Sequence, residues 1–236
     1  MQAVILAGGK GTRLRPLTLS FPKPLLPVGT HPILEIIIRQ LARAEFTDIV
    51  ISTGYLAELI ENYFQDGAKW GVRIRYVREQ SALNTAGSLR LLEGLEPAFL
   101  VMNGDVLTSL DYGSLYRSHM NSGCGATITT IEHESKVDFG VVESTPSGLL
   151  QGIREKPVFK YAVSMGVYVL NKSVIQLIDP NEAIGMPDLL LRLKDNGEQV
   201  RCHPFDGHWL DIGRLSDYER AQSKFLTYEH FFLPQG

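Results

Sequence analysis

Buried strands and amphipathic helices alternate along the first half of the chain. The mostly apolar runs at residues 3–7, 48–53 and 98–103 predict strands that are buried on both faces. Residues 72–77 alternate between apolar and polar side chains, which predicts another strand. Helical periodicity is present between these runs, at residues 32–44, 57–64 and 85–92. This alternation is typical of a parallel sheet covered by helices.

The second half is richer in strands. Strand patterns occur at residues 126–131, 139–143, 149–154 and 162–170. Helical patterns return at residues 173–178, 186–196 and 215–225. The chain therefore predicts one α/β domain over residues 1–236, with a doubly wound, mostly parallel mixed sheet of Rossmann-like type and a β-rich portion.

Composition excludes several classes of function. The 236 residues are 44% apolar and 21% charged, with a formal net charge of -3. An acidic balance argues against a nucleic-acid or anionic-membrane partner. The start of the chain lacks the basic region of a signal peptide, and no apolar run reaches the roughly 20 residues that span a bilayer. With two cysteines, Cys124 and Cys202, that form no disulfide framework, we expect a cytoplasmic protein.

A glycine-rich loop follows the first predicted strand, from Gly8 to Arg13. Glycines allow backbone N–H groups to converge on a bulky anion, and the loop lies at the carboxyl end of a strand, where open α/β sheets bind ligands. The loop lacks the Gly-Lys-Ser/Thr of a Walker A motif, and Leu14 occupies the place of the third glycine of a dinucleotide fingerprint. We therefore expect a phosphate site of another kind, with an ordinary surface turn as the alternative.

Three charged residues add candidate chemistry. Lys23 lies between Pro22 and Pro24, which restrict the backbone and position the ammonium group. Asp105 follows a buried strand, and Asp211 lies beside Trp209. The two carboxylates could converge on one Mg²⁺, which takes one or two carboxylates together with phosphate oxygens and water. Taken alone, an aspartate after a strand is more often a turn or cap residue.

The combined pattern resembles the sugar-nucleotide pyrophosphorylase (nucleotidyltransferase) family, and within it the mannose- or heptose-1-phosphate guanylyltransferases. The first motif is Gly8-Gly9-x-Gly11-Thr12-Arg13-Leu14-x-Pro16, followed by Lys23-Pro24-Leu25-Leu26-Pro27-Val28. The later motifs, in matching order, are Asn103-Gly104-Asp105, Phe139-Gly140-Val141-Val142, Glu155-Lys156-Pro157, Gly166-Val167-Tyr168 and Trp209-Leu210-Asp211-Ile212-Gly213. The resemblance covers nearly the whole chain.

This resemblance implies transfer of a nucleoside monophosphate from a nucleoside triphosphate to a sugar 1-phosphate, with Mg²⁺ as cofactor and pyrophosphate as the second product. It assigns catalysis to Arg13, Lys23 and Asp105, and the metal to Asp105 and Asp211. The implied nucleotide-binding residues are Leu6, Ala7, Gly8, Gly9, Gly11, Thr12, Arg13, Lys23, Glu79, Gln80, Thr85, Ala86, Gly87, Asn103, Gly104 and Asp105. The implied sugar-phosphate residues are Gly140, Glu155, Lys156, Gly166 and Tyr168.

The identity of the base depends on residues 78–87. Glu79 could accept hydrogen bonds from N1–H and N2–H of guanine, whereas Gln80 could match uracil or thymine. Thr85-Ala86-Gly87 is similar to the guanylyltransferases, although Asn84 stands where relatives commonly carry glycine. We expect GTP, with UTP, dTTP and CTP as alternatives.

Two alternative functions remain open. Some relatives are regulatory subunits that bind sugar nucleotides without turnover, and others are cytidylyltransferases that act on an alcohol phosphate. The nucleotide half is expected at about residues 1–120 and the sugar-phosphate half at about residues 121–236. No hexapeptide-repeat domain is expected after the last helix.

The tail carries Phe231, Phe232 and Leu233, which could pack in the core or across a homodimer interface.

Overall fold

The computed structural model describes residues 1–79 and 81–233. Six α-helices lie in this part of the chain: α1 (Ile33–Arg43), α2 (Ala57–Phe64), α3 (Asn84–Gly87), α4 (Tyr112–Met120), α5 (Met186–Asp195) and α6 (Leu215–Phe232). Its strands are β1 (Gln2–Ala7), β2 (Pro27–Val28), β3 (His31–Pro32), β4 (Asp48–Thr53), β5 (Arg73–Arg78), β6 (Ala98–Asn103), β7 (Val106–Thr108), β8 (Ala126–Lys136), β9 (Val141–Ser144), β10 (Leu150–Arg154), β11 (Val158–Asn171), β12 (Val200–Phe205) and β13 (Trp209–Asp211). No helix among the described residues is both long and apolar enough to span a bilayer.

A seven-stranded sheet runs through the molecule in the order β12-β8-β11-β6-β1-β4-β5. Strands β6, β1, β4 and β5 are parallel neighbours, and β12 is parallel to β8. Only β11 among these strands runs antiparallel to both of its neighbours, β6 and β8. The prediction of a doubly wound, mostly parallel mixed sheet is confirmed.

The sheet is covered on both faces because its central strands are apolar on both sides. In β1, Ala3 and Ile5 pack into one layer, whereas Val4 packs into the other. The first layer contains the buried faces of α1, α2 and α6, and the second contains those of α5 and of the 3₁₀ turns Ser88–Leu91 and Lys172–Leu177. Because both faces of the sheet are covered, the ends of the strands are the parts of the sheet that remain accessible to ligands.

Several elements differ from the sequence prediction. The helix expected at residues 85–92 is α3 followed by the 3₁₀ turn Ser88–Leu91. Helix α4 was not predicted, although Asp111 caps it by accepting a hydrogen bond from the Ser114 N–H at 2.8 Å. Strands β8 and β11 are longer than predicted, because their outer ends pair with each other from Ile131–Val163 to Lys136–Val158 beyond the buried sheet. This pairing extends the two strands into an exposed arm, residues 131–163, which includes the hairpin β9–β10.

Helix α6 continues seven residues beyond the predicted end and anchors the tail to the same chain. Phe225 and Phe232 are buried in the first core, and their ring centroids lie 5.8 Å apart. The Gln222 side chain accepts a hydrogen bond from the Gly29 N–H at 3.0 Å, which fixes the helix to the turn between β2 and β3. Phe232 therefore packs within its own chain, and the homodimer stays a prediction.

Adjacent residues of α6 provide a test of this packing. Phe225 is 1% exposed and Leu226 is 72% exposed. We expect Phe225→Ala to lower the free energy of unfolding by about 3–5 kcal/mol, because it leaves a cavity in the core. Leu226→Ala should change it by less than about 0.5 kcal/mol. Urea unfolding followed by circular dichroism measures both values, and equal effects would contradict the burial of Phe225.

Candidate active site

The parallel strands bring three segments to one edge of the sheet. The chain leaves β1 at Gly8, β5 at Glu79 and β6 at Gly104. The Gly104 N–H donates to the Leu6 carbonyl at 2.9 Å, and the Glu79 N–H donates to the Thr53 carbonyl at 2.9 Å. The predicted nucleotide residues that follow these strands therefore lie side by side at the carboxyl edge.

The glycine loop forms a tight turn in front of β1. Gly11 has φ +60°, and its carbonyl accepts hydrogen bonds from the Leu14 N–H at 2.9 Å and the Thr18 hydroxyl at 2.8 Å. A side chain at Gly11 would be strained by this φ and would come within 3.0 Å of Thr18. Thr12 and Arg13 begin a 3₁₀ turn and are exposed, so their polar groups are accessible to a bound anion.

The proline-rich stretch directs Lys23 towards the end of β6. Lys23 opens a 3₁₀ turn that spans Lys23–Leu25, and both flanking prolines are buried. Its ammonium group forms an ion pair with Oδ2 of Asp105. The two side chains are 11% and 24% exposed, so the pair is shielded from water on most sides. The structure thus joins Lys23 and Asp105, two predicted catalytic residues.

A short antiparallel ladder brings Asp211 to the same place. In the pairing of β7 with β13, Asp211 lies opposite Val106, the residue after Asp105. The ladder continues beyond the strands, because the Ile212 N–H donates to the Asp105 carbonyl at 3.1 Å. Residues that are 106 positions apart in the sequence are therefore neighbours, and both carboxylates lie at one end of the ladder.

The electrostatics of Asp211 reflect its burial and this proximity. Its pKa is raised above the ordinary value, first because surrounding protein atoms displace part of its water and second because the Asp105 carboxylate repels its charge. Lys23 and Arg13 act in the opposite direction. A β-carbon at Gly213 would lie 3.7 Å from the Arg13 guanidinium, so the arginine of the glycine loop also reaches this cluster.

The cluster suits a hard divalent cation. Oδ1 of Asp105 is buried and has no hydrogen-bond partner among the described residues, so this oxygen is free to accept a ligand. No group of three or more histidine, cysteine, aspartate or glutamate side chains in the described ranges could hold a metal ion. A pair of carboxylates that relies on phosphate and water oxygens for the remaining ligands fits Mg²⁺.

Other predicted nucleotide residues form a wall beside the glycine loop. The Glu79 carboxylate accepts a hydrogen bond from the Ser52 hydroxyl at 2.8 Å and lies against Gly8, where a β-carbon would come within 2.6 Å of it. Gln80 lies outside the described residues. Asn103 lies against Gly166, which has φ +73°. A β-carbon added at Gly166 would come within 2.6 Å of the Asn103 amide. Gly166, predicted on the sugar side, therefore borders the nucleotide residues.

The segment of residues 85–87 is tied to a distant loop. The Thr85 hydroxyl oxygen accepts a hydrogen bond from the Met186 N–H at 2.8 Å, and the Ala86 and Gly87 N–H groups donate to the Ile184 carbonyl at 3.0 and 3.1 Å. The hydroxyl hydrogen of Thr85 is left to donate to a ligand. Thr85 is exposed, whereas Ala86 and Gly87 are buried.

The remaining sugar-phosphate candidates lie on the arm and in the core. Glu155 follows β10 and lies against Gly140 before β9, where a β-carbon would be 3.0 Å from its carboxylate. Lys156 is exposed and has φ +44°, an unfavourable conformation of the kind found at ligand sites. Tyr168 is buried, and its hydroxyl lies 2.9 Å from the Ser164 hydroxyl. The roles of these residues stay predictions.

Sequence reasoning missed two residues of this edge. Ser52, which bonds Glu79, gave no signal because it ends an ordinary buried strand. Asp217 accepts a hydrogen bond from the Arg214 N–H at 3.0 Å at the start of α6, and its charge further raises the pKa of Asp211. An acidic residue three positions into a helix is a recognised capping signal, so Asp217 could have been found.

Comparisons with known proteins place the chain among nucleotidyl transferases. A family model described as "Nucleotidyl transferase" matches residues 2–227. A UTP–glucose-1-phosphate uridylyltransferase of Synechocystis sp. is 34% identical over 97% of this chain. A mannose-1-phosphate guanyltransferase of Debaryomyces hansenii is also 34% identical, over 96% of this chain. The chain spans less than two thirds of these relatives, 64% and 65% of their lengths.

Solved structures share the fold over nearly the whole chain. A Bacillus anthracis protein, provisionally described as a glucose-1-phosphate thymidylyltransferase in complex with sucrose, superposes with a TM-score of 0.76 at 26% identity. HddC of Yersinia pseudotuberculosis superposes with a TM-score of 0.73 at 25% identity. The match covers 95% of this chain in both cases, and 94% and 99% of the two structures.

The raised pKa of Asp211 has a consequence for stability. Below its ordinary value of about 3.9 the carboxyl is neutral in both the folded and the unfolded protein. As the pH rises through the folded-state pKa, ionisation beside Asp105 costs stability in the folded state. Asp211→Asn should therefore raise the unfolding temperature of the metal-free protein at pH 7.5, on the order of 1 °C because the side chain remains accessible to water.

Scanning calorimetry in EDTA at pH 7.5 and pH 3.5 measures this difference. The increase should vanish at the lower pH, and Asp206→Asn, which changes an exposed aspartate, should produce none. A lower unfolding temperature for Asp211→Asn at pH 7.5 would show that the Asp211 charge stabilises the metal-free fold.

Proposed function

The chain belongs to the nucleotidyl transferase family, and on this premise we propose that it transfers a nucleoside monophosphate from a nucleoside triphosphate to a sugar 1-phosphate. The observation that carries the proposal is the cluster of Lys23, Asp105 and Asp211 at the end of the sheet. The glycine loop of residues 8–13 borders this cluster through Arg13. The site combines anion-binding groups with carboxylates that suit a cation.

Electrostatic repulsion is the main obstacle to this reaction. The triphosphate and the sugar phosphate are both polyanions, so their approach is unfavourable unless positive charge lies between them. Arg13 and Lys23 supply that charge near the glycine loop, and Lys156 is proposed to supply it on the arm. Fixed charges of this kind need no reorganisation when the transition state forms.

In the proposed reaction, an oxygen of the sugar 1-phosphate attacks the α-phosphorus of the nucleotide. The bond between the α-phosphorus and the oxygen that it shares with the β-phosphorus breaks, and pyrophosphate leaves with the electron pair. The phosphate oxygen is already a nucleophile, so no covalent intermediate with the protein is needed. Catalysis therefore depends on alignment by Arg13, Lys23 and the backbone of the glycine loop, together with neutralisation of charge.

Mg²⁺ is the proposed cofactor, and Asp105 and Asp211 would hold it. When bound, the ion would supply positive charge and fixed coordination to the phosphate oxygens. Lys23 neutralises Asp105 in the ligand-free protein. A lysine in that position can transfer its contact to a phosphate when the carboxylate binds the cation.

The proposed nucleotide is GTP, and the proposed acceptor is a mannose- or heptose-type sugar 1-phosphate. Glu79 supports guanine, because its carboxylate retains acceptor sites beyond the bond to Ser52 and lies against the glycine loop. The similarity to a mannose-1-phosphate guanyltransferase supports the same choice. UTP with glucose 1-phosphate is the second candidate, supported by the equally similar Synechocystis protein. A cytoplasmic site of action fits both sets of substrates.

A pyrophosphate-release screen of GTP, UTP, dTTP and CTP against mannose, heptose and glucose 1-phosphates tests the proposal. We expect GTP with mannose or heptose 1-phosphate to give the fastest release, and EDTA to abolish it because Asp105 and Asp211 then lack the cation. Faster release with UTP and glucose 1-phosphate would contradict the assignment of the base and the sugar. No release from any pair would favour a sugar-nucleotide-binding regulatory subunit.

Removal of a charge from the cluster should strongly lower turnover in a protein that still folds. For Asp105→Asn and Lys23→Ala we expect kcat to fall by about 10²–10³-fold, the effect of losing a group that stabilises transition-state charge. Matched controls are Asp206→Asn after β12 and Lys172→Ala after β11. Steady-state kinetics with unfolding temperatures measures both properties, and near-normal kcat in both site variants would remove this cluster from the chemistry.

A further inference from the structure

The segment of residues 85–87 owes its conformation to a loop a hundred positions further along the chain. The Ile184 carbonyl accepts both the Ala86 and the Gly87 N–H, and Thr85 accepts the Met186 N–H. Ala86 and Ile184 are both buried. Gly87 packs directly on the carbonyl of Glu182, where no side chain would fit. The segment therefore adopts whatever position the loop of residues 179–185 holds.

An arginine fork fixes that loop. Arg192 of α5 donates to both carboxylate oxygens of Glu182, at 2.8 and 2.5 Å, and also to the Leu177 carbonyl at 2.6 Å. Glu182 accepts a further hydrogen bond from the Asp179 N–H at 3.0 Å. The Arg192 side chain thus connects helix α5 to the middle of the loop and to the residues just before it. A bidentate contact of this type fixes orientation as well as distance.

The ion pair is present across the physiological pH range. The Arg192 guanidinium and the Asp179 N–H lower the pKa of Glu182 to about 2, so its carboxylate stays charged at neutral pH. The two side chains are 25% and 36% exposed. Partly exposed ion pairs contribute little to the stability of a fold. The pair is therefore better suited to hold local geometry than to stabilise the whole domain.

We propose that the Glu182–Arg192 pair is a positioning element for nucleotide recognition, acting through the Ile184 carbonyl on residues 85–87. This rests on the proposed function, in which that segment faces the nucleotide. Without the fork, the loop can shift, and the Thr85 hydroxyl and the neighbouring backbone lose their fixed place. The pair would then determine affinity for the nucleotide and discrimination between bases, while the phosphate groups remain held by Arg13 and Lys23.

Two variants remove the fork in different ways. Arg192→Met keeps an unbranched side chain but removes the guanidinium, and Glu182→Gln keeps the shape of the side chain but removes its charge. Arg73→Met is the matched control, because Arg73 pairs with Asp48 at the opposite edge of the sheet. Arg192→Lys retains the charge without the fork and should give an intermediate effect.

Calorimetric titration with the α,β-methylene analogues of GTP and UTP measures the affinity without turnover. We expect Arg192→Met and Glu182→Gln to weaken binding of the preferred analogue about tenfold and to reduce the preference between the two bases. With natural substrates, KM for the nucleotide should rise while kcat stays within about threefold of wild type. Arg73→Met should leave both constants unchanged.

The outcomes separate this proposal from the proposed function. If wild type binds neither analogue, the proposed function fails and the positioning role fails with it. If wild type binds and the two fork variants bind equally well, the positioning role alone is wrong. A fall in kcat without a change in KM, or a lower unfolding temperature with unchanged affinity, would likewise show that the pair serves the fold and not the nucleotide.

Discussion

The ion pair between the Lys23 ammonium and the Asp105 carboxylate is the contact on which the site depends. The proline-rich stretch, the end of β6 and the ladder between β7 and β13 all converge on it. Asp211 completes the group, and its pKa is raised first by partial desolvation and second by the Asp105 carboxylate. Lys23 balances only one of the two negative charges, and this uncompensated carboxylate is the physical reason to assign the cluster a function.

The sheet supplies the frame for this contact. Parallel strands end at one edge, so loops that are far apart in sequence become neighbours there. The frame alone does not fix every loop, because residues 85–87 follow β5 but are held by the loop that precedes α5. The molecule therefore uses two supports for the proposed nucleotide site: strand ends for the phosphate side, and the Glu182–Arg192 pair for the base side.

Local patterns predicted the central strands well, since β4 and β6 begin and end where their apolar runs do. The motif residues at the strand ends were assigned through the resemblance to the nucleotidyltransferase family, because glycines and charged groups are common in turns and do not identify a site on their own. Pairings between distant segments were not predicted. Tertiary packing determines three such pairings: the hydrogen bond from the Ile212 N–H to the Asp105 carbonyl, the outer pairing of β8 with β11, and the hydrogen bonds from residues 86–87 to the Ile184 carbonyl. No local periodicity encodes them.

A crystal structure with the α,β-methylene analogue of GTP and Mn²⁺ tests the central claim most directly, because manganese can be located by its anomalous scattering. The account predicts the metal between the Asp105 and Asp211 carboxylates, the triphosphate on residues 8–13, and the Lys23 ammonium in contact with a phosphate oxygen. A metal bound away from both aspartates, or a triphosphate away from the glycine loop, would contradict it.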